Sequence, residues 1–179
     1  MSLQPFTQVS GRAAPLLAAN VDTDVIMPKQ FLKGIDRQGL DRGLFFDLRF
    51  LADGTPNPEF VLNQPAWQGA SFLVVGANFG CGSSREHAVW GLQQLGVRAL
   101  IGSSFAGIFY DNCQRNGVLL ITLDESVLQR LGRVVRRARE SGVSDALVFG
   151  HGHALRSLAM VWLDFPIRMA AHFPLHTGG

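Results

Sequence analysis

The sequence predicts an α/β fold built on a mostly parallel sheet flanked by helices. Three observations lead there. Short, largely apolar runs recur at residues 72–75, 97–101 and 118–121, the pattern of strands buried on both faces. Between them apolar residues recur at helical spacing: Ala88, Val89, Leu92 and Leu95, then Phe105, Phe109 and Cys113. Strand alternating with helix implies crossovers that keep the strands parallel. Finally, a turn carrying Gly76, Gly80 and Gly82 joins the first of these strands to the first of these helices. The chain is organised around that junction.

Taken in order, the chain opens with a strand candidate near residues 6–9 and an apolar stretch at 13–19. The run Asn20-Val21-Asp22-Thr23-Asp24 favours a turn held by side-chain-to-backbone bonds, and Pro28 stops regular pairing. Asp22 and Asp24 read either as turn caps or as carboxylates at the mouth of a site. Gly34, Gly39 and Gly43 break up a polar stretch, and Pro56, Pro58 and Pro65 mark an irregular excursion. Residues 33–43 and 55–67 are expected to be mobile in the isolated chain. Residues 44–51 fit a short helix or a strand. Ser103 or Ser104 can cap the second helix, and Asn116-Gly117 ends it. A third helix is expected over 125–140, with Val127, Leu128, Leu131, Val134, Val135 and Ala138 inward. Strand-like pieces follow at 147–149 and 158–163, then a short helix at 166–173. With no repeat and no linker, the chain reads as a single domain over 1–179, its core at 11–123.

Composition narrows the function. A chain of 179 residues buries roughly 70% of its unfolded surface and needs no covalent staples. A net charge of +2 gives little support to a nucleic-acid or membrane-surface role. The arginines at 130, 133, 136, 137 and 139 read as a solvated helix face. No apolar run reaches the ~18 residues of a membrane span, and no signal peptide is apparent, which makes the cytoplasm the default location. Two cysteines, Cys81 and Cys113, form no disulfide framework. They are also too few for an iron–sulfur cluster, which takes about four cysteine ligands. Chemistry that needs a cluster must receive it from another polypeptide.

The sharpest motif is Gly80-Cys81-Gly82-Ser83-Ser84-Arg85-Glu86-His87. It lacks the Gly-Lys-Ser/Thr of a phosphate loop, the G-x-S-x-G of a hydrolase elbow and the third glycine of a dinucleotide fingerprint. Ser83 and Glu86 stand three apart and fit a capping box. Beside that structural reading stands a chemical one. Strand, glycine turn and helix start aim free backbone N–H groups at an anion. Arg85 adds a planar fork for a carboxylate or phosphate. A serine oxygen there can give and take a proton, its alkoxide stabilised by those dipoles. His87 is turned away from the first-turn N–H groups and reads as structural. Cys81 has no histidine placed for it as a nucleophile. His151 and His153 lack a third metal ligand and read as a turn.

Four separated motifs carry a resemblance: NVDTDVIMPKQFLK, LFFDLRF with DGTPNPEFVLN, GANFGCGSSREHAVWGL, and SFAGIFYDNCQRNGVLLI. In this order they resemble the small-subunit family of 3-isopropylmalate dehydratase, itself similar to the swivel domain of aconitase. The likeness covers residues 11–123 and thins beyond 146. It implies a swivelling β/β/α domain and one half of a heteromeric hydro-lyase of leucine biosynthesis. Such an enzyme interconverts 2- and 3-isopropylmalate through an alkene. The resemblance also implies a large-subunit partner, in a heterodimer or heterotetramer, that carries a [4Fe-4S] cluster whose open iron acts as a Lewis acid; this chain itself binds no cofactor. Ser83 matches the serine base of such sites. Ser84, Arg85 and Gly82 match the substrate-carboxylate cradle, and Asp24 an aspartate at its edge. Phe31, Leu32 and Lys33 fall where substrate preference is set, with Lys33 as a second cationic end for a small dicarboxylate. A related hydro-lyase (homoaconitase, or citraconate or dimethylmalate hydratase) and a non-catalytic anion- or RNA-binding module are the alternatives.

Overall fold

The computed structural model describes residues 8–32, 38–83, 85–140, 147–148, 158–162 and 168–172. Its strands form one seven-stranded sheet in the order β4-β3-β2-β1-β7-β6-β5. The strands are β1 (Gln8–Leu16), β2 (Phe72–Val75), β3 (Ala99–Gly102), β4 (Leu119–Thr122), β5 (Leu147–Val148), β6 (Leu158–Trp162) and β7 (Arg168–His172).

β1 divides two kinds of pairing. On one side it runs parallel to β2, with Ala13 opposite Phe72 and Leu16 opposite Val75. β2 continues parallel to β3, and β3 to β4. On its other side β1 pairs antiparallel with β7, β7 with β6, and β6 with β5. The parallel half is the one that alternating strand and helix predict. The antiparallel half extends it, and β7 corrects the expectation of a short helix at 166–173. Met and Ala in that segment are good helix formers, but pairing with both β1 and β6 overrides a preference of tenths of a kcal/mol.

The parallel half is buried for the reason its sequence suggests. All four residues of β2 are buried, as are those of β3. After β2, α3 (Glu86–Gln94) buries Ala88, Val89, Gly91 and Leu92. After β3, α4 (Gly107–Asn116) buries Phe109, Asn112 and Cys113. The Phe109 ring meets Phe79 edge-on, with centroids 5.6 Å apart. Gly117 ends α4 in the left-handed conformation, φ 73°, and its N–H bonds to the carbonyls of Cys113 and Gln114. α5 spans Glu125–Glu140. Leu128 and Leu131 are buried, whereas Val127, expected inward, is 40% exposed. Arg130 and Arg133 face solvent.

The serine cap expected for α4 is absent. Ala106 holds that position without a side-chain bond, because Ser104 is used elsewhere: its Oγ accepts from the Asn78 N–H at 2.8 Å. Among the described residues between β1 and β2 lie α1 (Thr23–Ile26), α2 (Phe46–Arg49) and four short 3-10 turns. Leu44, Phe45, Phe60 and Trp67 bury this excursion against the core. Asn57 and Asn63 fasten it by donating to the carbonyls of Leu48 and Arg49. Residues 44–51 thus resolve as a helical turn rather than a strand.

Candidate functional site

The loops that leave the C-terminal ends of β1 and β2 lie side by side. The Val21 carbonyl accepts from the Gly80 N–H at 2.8 Å, and the Cys81 carbonyl from the Thr23 N–H at 2.9 Å. Asp22 and Cys81 form a parallel bridge. Two glycines make this approach feasible. Gly80 sits at φ +78°, and a Cβ there would lie 2.2 Å from Cγ of Phe109. Gly82 sits at φ +87°, facing Asp22 and Thr23. An L side chain is strained at either angle.

The two aspartates separate into the two roles that the sequence left open. Asp22 is the N-cap of α1, its carboxylate accepting from the Val25 N–H at 2.8 Å. Asp24 forms an ion pair and hydrogen bond with Arg85, 61 positions away. The guanidinium holds the Asp24 carboxyl below the usual carboxylate range, and Lys29 adds to the effect. Arg85 is only 11% exposed and Asp24 44%. The same guanidinium nitrogen reaches the Met27 carbonyl at 3.4 Å. A guanidinium carries five N–H groups, so Arg85 still has donors to offer an anion.

Ser83 is exposed and does not cap α3. The helix begins at Glu86, and Arg85 occupies the cap position in an extended conformation with no side-chain cap bond. The expected capping box is therefore absent. Glu86 is engaged instead by Asn116, whose amide donates to its carboxylate at 3.1 Å. Asn116 also accepts from the Trp90 indole at 2.9 Å, which ties α3 to α4. His87 stacks at a tilt on Trp90, centroids 4.8 Å apart, in keeping with its structural reading.

Not every expected residue joins this cluster. The Phe31 ring packs on Phe46 at 5.0 Å, and Leu32 lies partly buried against the core. Ser84, Lys33, His151 and His153 lie outside the described residues. Cys113 is buried, and burial pushes its thiol well above the ordinary range; it is inert. Among the described residues no three or more His, Cys, Asp or Glu side chains are grouped to hold a metal ion. No helix among them is long and apolar enough to cross a membrane. A groove of about 380 Å³ opens between Leu17, Gly76, Ala77 and Leu128, and no expected site residue lines it.

Two contributors escaped the sequence reading. Lys29 carries no motif signal of its own in the sequence. Thr23 was read as one of several turn residues, yet it is 1% exposed and its hydroxyl donates to the Ser83 carbonyl at 2.5 Å. No periodicity signals that bond, since it links segments sixty positions apart.

Comparison with known proteins places the chain in a family. Residues 3–126 match the Aconitase C-terminal domain. The small subunit 2 of 3-isopropylmalate dehydratase from Salmonella typhimurium is 66% identical over 145 residues, spanning 81% of this chain and 70% of that protein. The chain belongs to the 3-isopropylmalate dehydratase small-subunit family. Small subunit 1 from Mannheimia succiniciproducens is 65% identical over 79% of this chain and 70% of its own length. A crystal structure of 3-isopropylmalate dehydratase from Methanocaldococcus jannaschii superposes with a TM-score of 0.52 at 33% identity, covering 66% of this chain and 64% of that one. This small-subunit fold is α/β, with the four parallel strands and their helices as its core.

Proposed function

We propose that this chain is the small subunit of a hydro-lyase that interconverts 2-isopropylmalate and 3-isopropylmalate in leucine biosynthesis. The observation that carries the reading is an exposed Ser83 beside an Arg85 locked by Asp24, in a chain of this family. The serine oxygen, as alkoxide, takes the proton from the carbon next to a carboxylate. The C–H electron pair becomes the new π bond, and the hydroxyl leaves the neighbouring carbon. Water then re-adds with hydrogen and hydroxyl exchanged between the two carbons. Gly82, Ser84 and Arg85 cradle one carboxylate, and the α3 N-terminus adds its dipole. Asp24 holds the guanidinium in position. Phe31, Leu32 and Lys33 read the rest of the substrate.

On this reading the [4Fe-4S] group is carried by a large-subunit partner, and the receiver of the hydroxyl lies there too. The whole of 1–179 serves as a single swivel domain in a heteromer located in the cytoplasm. The test is reconstitution with a cluster-bearing large subunit, followed by the absorbance of the alkene. Ser83→Ala is expected to assemble normally and lose most turnover. A near-normal rate in that variant removes Ser83 from the role of base.

A further inference from the structure

We infer that Thr23 is a positioning residue, which fixes the Ser83 backbone and so aims its hydroxyl; this rests on the reading of Ser83 as the base. Among the described residues, Thr23 and Asn112 are the buried polar ones, and a buried hydroxyl requires a partner. The partner of Thr23 is the Ser83 carbonyl. Thr23 is itself rigid: its N–H donates to Cys81, and its carbonyl accepts from the Met27 N–H at 2.9 Å. Gly82, between the two bonded residues, has no side chain to brace it and sits at φ +87°. The loop therefore takes its orientation from the α1 side.

The chemical consequence follows from the sign of the dipole. A carbonyl oxygen carries negative charge. Turned towards the reacting centre, it opposes both an alkoxide on Ser83 and an incoming carboxylate. Thr23 draws that oxygen to the buried side and leaves the serine side chain exposed. Loss of the donor frees the peptide unit to rotate and carries Oγ with it.

The test compares Thr23→Val, which keeps the shape and removes the donor, with Thr23→Ser, which keeps the donor. In the assembled enzyme Thr23→Val is expected to lower kcat about 100-fold, the scale of a 1 Å misplacement, with KM little changed; Thr23→Ser is expected to restore most of it. A merely structural role lowers thermal stability in both and leaves the rate per assembled complex intact, and that result overturns the inference. In the isolated chain, the carbon-13 shift of the Ser83 carbonyl is expected to move in Thr23→Val and to stay in Thr23→Ser. A wild-type Thr23 hydroxyl proton that exchanges with water as freely as that of Ser83 overturns the inference even if no variant folds. A wild-type complex inactive on isopropylmalate refutes the proposed function, while the carbonyl shift still decides the positioning claim.

Discussion

Asp24 and Arg85 show how much charge geometry a single pair contributes. Because the Asp24 carboxyl is lowered in the folded chain, its contribution to stability is complete above the ordinary carboxylate range. That contribution is lost as pH falls through the lowered folded value. An NMR titration is expected to find the Asp24 midpoint below that of a free aspartate, and Arg85→Gln is expected to raise it. An unshifted midpoint contradicts the latch. Ser83 is exposed, so Ser83→Ala is expected to change stability by no more than about 0.5 kcal/mol, readable by urea unfolding. At this scale the glycines before them mark Ser83 and Arg85 in the sequence as candidate site residues. The sequence did not announce their partners. Asp24 and Thr23 lie about sixty positions upstream, and only the adjacency of the β1 and β2 loops brings them together.

The elements themselves were more legible than their ends. The β2 run, the α5 span and the Gly117 stop follow from burial, periodicity and the left-handed preference of glycine. The two expected serine caps did not form: the Ser104 hydroxyl serves Asn78, and α3 begins only at Glu86, with Arg85 rather than Ser83 at its cap. For Ser104 a tertiary bond takes the hydroxyl that the local capping preference would use. The glycine turn gives a graded test. Gly54 and Gly80 both have positive φ, but a Cβ at Gly54 meets nothing within 4 Å whereas one at Gly80 meets the buried Phe109 ring. Gly54→Ala is expected to cost about 1–2 kcal/mol, the left-handed penalty alone. Gly80→Ala is expected to cost clearly more, because the ring has no room to yield. Equal losses in denaturant midpoint contradict the packing of Phe109 beneath this turn.

Across the whole molecule, one sheet serves two purposes. Its parallel half carries the site loops at the strand ends, and β1 joins that half to the antiparallel β7-β6-β5 group. The residue pattern foretold the first half, since strands buried on both faces alternate with helices. The β7 strand had no such signature: Arg168–His172 lacks a clear period of two, and its partners decide its form. The proposed account is that this chain supplies a proton-handling serine and a fixed cation, and that a second polypeptide completes the reaction centre. The most direct measurement mixes the purified chain, alone and then with a cluster-bearing large subunit, with 3-isopropylmalate, and follows the alkene by its ultraviolet absorbance. The account expects no signal from the chain alone and a steady signal once both are present. Turnover by the single chain, or silence from the pair, contradicts it.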